Sequence, residues 1–344
     1  MFELDFGGAT TIFRFDKLST LGDHFDGSLS LAVCDTNTRS YVPSFVGGTR
    51  VLPSGETHKV WSSIDAILKD ALELGMARDD IVLGIGGGVV CDMAAFAASI
   101  YMRGCRSILA PTTLLSMIDA SFGGKTGIDF MSAKNLVGSF YPAEMVVIDL
   151  AALDTLPVRE FASGLAEGIK HAMLGDPELF DLFEERKDDV LRGDRELVER
   201  IVEGSIRVKG KVVESDFKES GLRRHLNLGH TFAHALESAT GFQSVKHGEA
   251  VAWGIGRALK TGVALGVTRP SYAGRTWRLL DQYGFALAGI EYEIDAIIEC
   301  MQADKKRSHG ELNFVLQRGL GDTFVTSVDQ RLIREILGDD SPLE

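Results

Sequence analysis

The sequence predicts an α/β domain built on a parallel sheet, followed by an all-α domain. Up to Pro157, short apolar segments typical of buried strands alternate with amphipathic helical segments, as in a sheet covered by helices. After Pro157, apolar residues recur almost entirely at helical spacing. The 344 residues are enough for two domains. We place the α/β domain at 1–157 and the mainly helical domain at 158–344.

Composition restricts the function. The chain is 45% hydrophobic and 25% charged, and its net charge of −13 argues against nonspecific nucleic-acid binding through a basic surface. The four cysteines form no CxxC pair, which argues against a disulfide framework or a zinc ribbon. The N terminus lacks the basic region followed by an apolar run that is typical of a secretory signal. No stretch reaches the roughly 18 consecutive apolar residues of a membrane-spanning helix. We therefore expect a cytoplasmic protein.

The first domain is predicted to alternate strands with helices. The predicted strands are Leu29–Val33, Ile81–Leu83, Ser107–Ala110 and Met145–Leu150, and the predicted helices are Val60–Leu74 and Val89–Ala98. Asp35 follows the first of these strands. A carboxylate there can accept hydrogen bonds from a ribose, although such an aspartate is more often a simple turn former.

A glycine cluster at residues 84–88 joins a predicted strand to a predicted helix. Glycines allow a phosphate to approach the backbone, and a helix N terminus offers free N–H groups to it. Val89 stands where the dinucleotide-binding fingerprint needs its last glycine, so this is not that fingerprint. A tight turn without a ligand is the alternative. Asp92 is predicted in the first helical turn, where the helix dipole alone would account for it.

Two further segments indicate anion recognition. The hydroxyls of Thr112 and Thr113 follow the third strand and can serve a nucleotide. The sequence Gly123-Gly124-Lys125-Thr126 is similar to the end of a phosphate-binding P-loop, but Asp119 occupies the position of that loop's first glycine, which excludes an ATPase. A lysine after paired glycines still favours an anion site, whereas a single lysine is more often a solvated surface residue.

The second domain contains the most informative stretch, Leu222–Glu249. His230 and His234 are four residues apart at helical spacing, which predicts one shared helix face. Arg223 and Asn227 are predicted close to that same face. A cation, an amide and imidazoles together predict a site for a metal and an anionic, hydroxyl-rich ligand. HxxxH alone is a weak signal, and the glutamate that a zinc protease needs beside the first histidine is missing.

Other charged residues of the second domain have two interpretations. Glu167 and Lys170 are three residues apart, which suits an ordinary ion pair on a helix. Alternatively, Glu167 joins two histidines in a set with catalytic zinc chemistry. Lys209 lies in a predicted helix at Ile201–Val213. The sequence Asp304-Lys305-Lys306 precedes a strand-like segment at Leu312–Leu316, and we expect the tail beyond residue 338 to be frayed.

Taken together and in order, ten motifs resemble those of the 3-dehydroquinate synthase family. In the first half they are PSGExxK (Pro53–Lys59), GGGVVCD (Gly86–Asp92), YMRG (Tyr101–Gly104), PTTLL (Pro111–Leu115), DASFGGKTGID (Asp119–Asp129) and AKN (Ala133–Asn135). In the second half they are SGLAEGIK (Ser163–Lys170), LRRHLNLGHTFAHALE (Leu222–Glu237), HGE (His247–Glu249) and DKK (Asp304–Lys306). The resemblance covers most of residues 29–316.

The resemblance implies a homodimer whose active site lies in a cleft between an NAD-binding α/β domain and a helical domain. It implies NAD and a divalent metal, zinc or cobalt, as cofactors, with Glu167, His230 and His247 as the metal ligands. His234 is then a substrate and proton-transfer residue, although the HxxxH spacing by itself suggested a ligand. Arg103 matches an arginine that the family contributes across the dimer interface.

The remaining site residues follow from matching positions. The NAD site is matched by Asp35, Ser54, Gly55, Glu56, Lys59, Gly87, Gly88, Val89, Asp92, Thr112, Thr113, Lys125, Lys134, Asp154 and Thr155. The substrate site is matched by Asp119, Lys125, Asn135, Lys170, Lys209, Arg223, Asn227, His234 and one of Lys305 and Lys306. The expected substrate is therefore a small anionic sugar phosphate, with neither nucleic acid nor membrane as a partner.

The implied reaction converts 3-deoxy-D-arabino-heptulosonate 7-phosphate to 3-dehydroquinate and phosphate, a step of the shikimate pathway to aromatic amino acids. NAD oxidises a ring hydroxyl, which acidifies the neighbouring C–H before phosphate is eliminated. The same NADH then reduces the ketone, the ring opens, and an intramolecular aldol step closes the carbocycle. The cofactor is thus recycled in every turnover.

Three residues depart from the family pattern, and three rival functions stay open. Cys91, Phe122 and Ala233 replace the usual Gly, Val and Gly, and none of these changes removes a charged or metal-binding group. One rival is a related cyclase acting on a heptulose phosphate without a carboxylate, against which Arg223 and Asn227 argue. The others are a metal-dependent polyol dehydrogenase that releases NADH, and a catalytically inactive relative, which would have lost metal or lysine positions.

Overall fold

The structure is a computed structural model that describes residues 1–24, 30–131, 133–241, 245–308 and 313–343; the side chains of residues 24 and 304–308 lie outside this description. The chain divides into two compact units. The first comprises Met1–Phe161 and Val213–Lys218, and the second comprises Ala162–Val212 and Glu219–Glu344. The predicted boundary at Pro157 lies about one helical turn before this division.

The first unit is built on a seven-stranded sheet. Strands β7 and β8 form a separate two-stranded ribbon. The strands of this unit are β1 (Phe2–Phe6), β2 (Ala9–Phe15), β3 (Ser30–Asp35), β4 (Gly48–Leu52), β5 (Ile81–Gly86), β6 (Arg106–Pro111), β7 (Lys125–Phe130), β8 (Ala133–Phe140) and β9 (Met145–Ile148). The order in the sheet is β1-β2-β9-β6-β5-β3-β4. All neighbours pair in parallel except β1 and β2, so the sheet is parallel with one antiparallel edge strand.

Alternation along the strands explains the two apolar layers of this unit. Side chains two residues apart point to the same face of a sheet. Val82 packs into a cluster with helices α1 (Trp61–Glu73) and α2 (Gly88–Ile100). Ile81, Leu83 and Ile85 belong to a second cluster, which includes Leu18 and Leu21. Burial on both faces is what a parallel sheet requires.

The second unit is mainly helical. Its helices are α3 (Val158–Gly175), α4 (Pro177–Glu185), α5 (Lys187–Leu191), α6 (Arg195–Ser215), α7 (His230–Ala239), α8 (His247–Ala264), α9 (Pro270–Gln282), α10 (Ile294–Ser308) and α11 (Gln330–Gly338), with the ends of α3 and α6 in the first unit. An antiparallel hairpin, β10 (Asn313–Gly319) and β11 (Asp322–Ser327), follows α10. An α/β domain followed by a helical one is therefore confirmed, although the helical part contains this hairpin and is not all-α.

The expectation that the C-terminal tail is frayed was wrong for its first residues. The fully buried guanidinium of Arg257 donates to the carbonyl of Asp339 at 2.6 Å and to the carboxylate of Asp340 at 2.7 Å. Lys260 also donates to the Asp339 carbonyl, at 2.6 Å. Two buried cations need these oxygens, because an unpaired buried charge is costly. No helix in the described part of the chain is long and apolar enough to cross a membrane.

Candidate active site

Three side chains of the second unit converge on one point. Glu167 comes from the middle of α3, and His230 and His247 are the first residues of α7 and α8. One ligand atom from each lies within 4.8 Å of the other two. The Oε1 atom of Glu167 is 3.4 Å from the Nε2 atoms of both histidines. Within the described residues, this is the one group of acidic, histidine or cysteine side chains that could hold a metal ion.

These distances suit a shared metal ion better than direct hydrogen bonds. Ligand atoms at about 2.1 Å from a tetrahedral ion are about 3.4 Å from one another. Glu167 is fully buried, and its Oε1, which faces the two histidines, has no hydrogen-bond partner. One carboxylate and two imidazoles are also a donor set that catalytic zinc uses, leaving a position open for substrate. The residues present therefore fit a divalent metal.

The outer nitrogens of both histidines have partners that orient the rings. His230 Nδ1 lies 3.2 Å from the carbonyl of Leu228, and His247 Nδ1 lies 3.2 Å from Oε1 of Glu237. A proton on each Nδ1 leaves a lone pair on Nε2, the atom that faces Glu167. Sequence analysis missed Glu237, although it lies seven residues after His230 and so on the same face of α7.

Two glycines explain how the histidines reach this point. Gly229 has a φ of +79°, and a Cβ there would lie 2.7 Å from the backbone nitrogen of Ile255. A Cβ on Gly248 would lie 2.1 Å from the carbonyl oxygen of Ser163, whose hydroxyl accepts the Gly248 N–H at 2.9 Å. Only glycine allows both close approaches. The start of α8 thus packs directly on α3, one turn before Glu167.

Lys170 sets the electrostatics of this group. Its Nζ lies 2.5 Å from Oε2 of Glu167, and both side chains are buried. Burial acts to raise the pKa of Glu167, but Lys170 and the histidines hold it well below its usual range. Burial and then Lys170 lower the pKa of His230. Burial also opposes protonation of His247, but Glu167 and Glu237 outweigh it and raise its pKa to about 10.

The other predicted residues of the second unit have varied settings. The His234 ring centroid is 5.2 Å from that of His230 and 6.2 Å from that of His247. Lys209, on α6, and Arg223 are buried. The amide of Asn227 donates to Glu219 Oε1 at 3.0 Å. Lys305 and Lys306 fall in α10, but their side chains lie outside the described residues.

The prediction that His230 and His234 share one helix face is confirmed, because both lie on α7. The prediction that Arg223 and Asn227 belong to the preceding turn of the same helix was wrong. A 3-10 helix, Leu222–Asn227, ends before α7 begins at His230. The left-handed backbone of Gly229 separates the two elements. Helical spacing continues across this break in the sequence, so periodicity alone did not reveal it.

In the first unit, predicted cofactor residues lie at the carboxyl edge of the sheet. Asp35 ends β3, Gly87 and Gly88 follow β5, and Thr112 and Thr113 follow β6. In the sheet, β4 lies on one side of β3 and β5 lies on the other. The chain connects β3 to β4 in one direction and β5 to β6 in the opposite direction, so the connections diverge between β3 and β5. In open α/β sheets, ligands bind at such a switch point, outside the carboxyl ends of the strands.

The glycines at the end of β5 and just after it serve different purposes. A Cβ on Gly84 would lie 2.7 Å from the Cβ of Ala94, and one on Gly86 would lie 2.7 Å from Val90. Helix packing alone therefore accounts for these two glycines. Gly87 is the N-cap of α2, and no side chain caps this helix end. The N–H groups of its first turn thus remain suited to an anion.

The hydrogen bonds of Asp35 support in part the interpretation that this aspartate forms a turn. Its Oδ1 accepts hydrogen bonds from the N–H groups of Asn37 at 2.8 Å and Thr38 at 3.0 Å. The hydroxyl of Thr38 also donates to the carbonyl of Ile85, at 2.8 Å, which ties this turn to β5. Structural hydrogen bonds therefore account for one oxygen of the Asp35 carboxylate.

Lys59, Asp92 and Asn135 form a partly buried polar cluster. Lys59 Nζ lies 2.6 Å from the Asp92 carboxylate and 2.5 Å from Oδ1 of Asn135. Burial acts to lower the pKa of Lys59, but the carboxylates of Asp92 and Glu56 outweigh it and raise this pKa. Asp92 is the fifth residue of α2. The prediction that it lies in the first turn was wrong, and pairing with Lys59 explains its position.

The remaining predicted residues are dispersed over the first unit. Ser54, Gly55 and Glu56 lie between β4 and α1, Lys134 of β8 is 3.7 Å from Glu56, and Val89 lies in the first turn of α2. Asp154 and Thr155 end a 3-10 helix, where the Thr155 hydroxyl is 2.8 Å from that of Tyr41. Asp119 lies in a short π-helix, Lys125 begins β7, and Arg103 has a φ of +65°.

Comparison with known families gives two adjacent matches. Residues 49–163 match the model described as 3-dehydroquinate synthase N-terminal, and residues 164–307 match the model described as 3-dehydroquinate synthase C-terminal. A 3-dehydroquinate synthase of Rippkaea orientalis is 40% identical over 84% of this chain and 80% of its own length. One from Thermoanaerobacter pseudethanolicus is 40% identical over 83% of this chain and 81% of its own length.

Two solved structures with the same fold are synthases with other names. A 2-epi-5-epi-valiolone synthase from Streptomyces hygroscopicus subsp. jinggangensis, with NAD+ and Zn2+ bound, is 27% identical with a TM-score of 0.87, over 98% of this chain and 97% of its own. A 2-deoxy-scyllo-inosose synthase complexed with carbaglucose-6-phosphate, NAD+ and Co2+ is 24% identical with a TM-score of 0.86, over 98% of each chain. At that identity, the second match supports the fold alone.

Proposed function

The chain belongs to the 3-dehydroquinate synthase family, and from this premise we propose that it converts 3-deoxy-D-arabino-heptulosonate 7-phosphate to 3-dehydroquinate and phosphate. The protein is then a carbon–oxygen lyase that requires NAD and a divalent metal, zinc or cobalt. The observation that carries this proposal is the group formed by the fully buried Glu167 with His230 and His247, whose outer imidazole nitrogens are both oriented by partners.

In this proposal, Glu167, His230 and His247 hold the metal. A divalent ion there supplies positive charge that polarises a substrate hydroxyl, and NAD supplies a reversible hydride acceptor. The partners of the two outer imidazole nitrogens keep both Nε2 atoms pointed inward. Lys170 adds a fixed positive charge beside Glu167. His234 is suited to move protons near neutral pH, because an imidazole titrates in that range.

The buried cations support an anionic substrate. The protein has a net charge of −13, yet Lys170, Lys209 and Arg223 are all buried in the second unit. By their positions in the family pattern, we assign these cations, with Asn227, to the phosphate and carboxylate of the substrate, and Arg223 can bind a carboxylate in bidentate fashion. Asp119 is assigned to the substrate site as well.

The cofactor is assigned to the first unit. The N–H groups at the start of α2 are suited to the pyrophosphate, and Asp35 and the two threonines flank them at the same edge of the sheet. The switch point of the sheet supports this assignment. Lys59, Asp92, Lys134 and the segment ending in Thr155 complete the proposed site.

A homodimer and a cytoplasmic location complete the proposal. The β7–β8 ribbon exposes Phe130 at 42%, Met131 at 92%, Leu136 at 61% and Phe140 at 44%. Within the described part of the chain, β8 pairs in a sheet only with β7, so it is an edge strand to which another strand can add. An apolar ribbon with an open edge suits a second copy of the chain, and Arg103 is proposed to reach the partner's active site.

A mixing experiment tests the dimer and the role of Arg103 together. Leu136→Arg should shift the mass measured by light scattering from dimer to monomer, and Leu72→Arg, on an exposed position of α1, should not. Arg103→Ala and His247→Ala proteins, each inactive alone, should regain activity when mixed, because a mixed dimer has one complete site. If a mixed dimer is shown to form and activity does not return, Arg103 does not act across the interface.

The activity is tested by combining the protein, NAD, zinc and 3-deoxy-D-arabino-heptulosonate 7-phosphate. Phosphate release and NADH absorbance are recorded together, and dehydroquinate is measured at the end. We expect equal amounts of phosphate and dehydroquinate without NADH accumulation, and loss of activity with a chelator or in Lys125→Ala.

The same assay separates the rival functions. Turnover of a carboxylate-free heptulose phosphate in place of this substrate would assign the protein to the cyclases represented by the valiolone synthase. Steady NADH accumulation with polyols would indicate a dehydrogenase. Lack of turnover with every substrate would indicate a binding protein.

A further inference from the structure

Phe217 packs on two glycines that are far apart in the sequence. It lies in the segment Val213–Lys218, which belongs to the first unit although the chain before and after it belongs to the second. A Cβ placed on Gly124 would lie 2.8 Å from Cε2 of Phe217, and one on Gly7 would lie 2.5 Å from its Cδ1. The ring therefore fills space that these two residues leave open.

The loop beneath this ring presents Lys125. Phe122, Gly123 and Gly124 are buried, whereas Lys125 is exposed. Gly123 and Gly124 have φ values of +90° and +78°, a backbone conformation that favours glycine. The carbonyl of Gly124 accepts the N–H of Tyr141 at 2.7 Å, and Lys125 pairs with Phe140 at the start of β7. The direction in which Lys125 leaves the loop therefore depends on this pairing and on the groups packed against the two glycines, which have no side chains of their own.

The loop is also anchored by aromatic packing. The ring of Phe122 lies edge-on to Phe13 at 5.2 Å and stacks with Phe6 at 6.2 Å. Both partners belong to the β1–β2 hairpin, and the N–H of Asp5 in this hairpin donates to Glu214 at 2.9 Å. The hairpin and the segment of Phe217 thus contact each other, and both contact the loop.

We propose that Phe217 is a positioning residue for Lys125. By packing on Gly124, its ring fixes the backbone from which the lysine projects. The same segment covalently joins α6, which carries Lys209, to the 3-10 helix that carries Arg223. The inference rests on the proposed function, in which Lys125 contacts substrate and NAD, and it adds a residue that contacts neither.

Phe217→Ala should loosen the loop and slow the reaction. A displacement of about 1 Å at an active-site group can cost about 100-fold in rate, so we expect kcat to fall at least about tenfold. Zinc content should not change, because Glu167, His230 and His247 belong to the other unit. Phe217→Leu keeps an apolar contact with Gly124 and should restore most of the lost kcat.

Phe45→Ala is the matched control. The ring of Phe45 packs on Gly22 much as Phe217 packs on Gly124, with Cδ1 at 3.0 Å from where a Cβ of Gly22 would lie. This contact also belongs to the first unit, but it does not involve the Lys125 loop. Phe45→Ala should therefore lower stability without lowering kcat.

Two measurements on the full-length proteins test the proposal. Hydrogen–deuterium exchange of a peptide covering residues 121–128 should become faster in Phe217→Ala and stay unchanged in Phe45→Ala. Steady-state kinetics on the same samples should show the fall in kcat only for Phe217→Ala. Unchanged exchange, unchanged kcat, or an equal fall in both variants would overturn the proposal. If the unmodified protein makes no dehydroquinate, the proposed function fails, and the exchange rates still decide whether Phe217 fixes the loop.

Discussion

His247 donates from Nδ1 to the carboxylate of Glu237, 3.2 Å away, while its Nε2 faces Glu167 at 3.4 Å. The imidazole of His247 thus contacts two carboxylates. Glu237 orients the ring, and Glu167 is proposed to bind the same metal ion. Such outer partners fix the tautomer and raise the basicity of the ligand. The first predictions concern this arrangement.

Glu237→Gln should weaken metal binding by about 10- to 100-fold, the usual cost of losing such a partner. The amide can still contact Nδ1, but it carries no charge. Zinc affinity measured by competition with a chromophoric chelator checks this prediction. Glu249→Gln is the control, because Glu249 caps α8 through the Lys246 N–H. Equal zinc affinity of the Glu237→Gln and unmodified proteins would refute the role of Glu237.

Gly248→Ala should abolish metal binding and activity. The new methyl group would lie 2.1 Å from the carbonyl oxygen of Ser163, which forces the start of α8, and His247 with it, away from α3. Gly175→Ala is a suitable control, because a Cβ there meets Val208 at an ordinary 3.7 Å. Zinc content after dialysis, with circular dichroism to confirm folding, provides the measurement. A folded Gly248→Ala protein with full zinc content would show that the approach is not required.

Arg257→Met should destabilise the protein by about 3–5 kcal/mol, the usual cost of removing one partner of a buried ion pair. Arg257 is fully buried, and its guanidinium binds oxygens of Asp339, Asp340 and Leu287. Urea unfolding measures the change. Arg278→Met, on an exposed position of α9, should change stability little. A similar small effect for Arg257→Met would mean that the C-terminal contacts contribute little.

The stability contribution of Asp339 should depend on pH. Hydrogen bonds from Ser341 and the charge of Lys260, opposed by burial, lower the pKa of this carboxyl from 3.8 to about 2. Because the folded pKa is depressed, the contribution is present above about pH 4 and is lost as pH falls towards 2. Asp339→Asn should therefore lower Tm at pH 5 but not at pH 2. A Tm difference independent of pH would contradict this assignment.

Much of the fold and the candidate site followed from local sequence. Apolar periodicity was sufficient to predict β5, α1 and α2 to within a few residues, because burial on a sheet or helix face imposes that period. The proposed metal residues came from ordered motifs, since the chemistry requires particular residue types at particular spacings. The same reasoning failed at Gly229, where helical spacing continued across a break in the helix.

The sequence by itself determined the family, the alternation of strands and helices before a mainly helical domain, and the candidate ligands of metal, NAD and substrate. Only the tertiary structure decided that Glu237 orients His247, that Lys59 pairs with Asp92, and that Phe217 rests on Gly7 and Gly124. These partners are distant or irregularly spaced in the chain. Such contacts arise from close packing of separate elements, which leaves no periodic signal in the sequence.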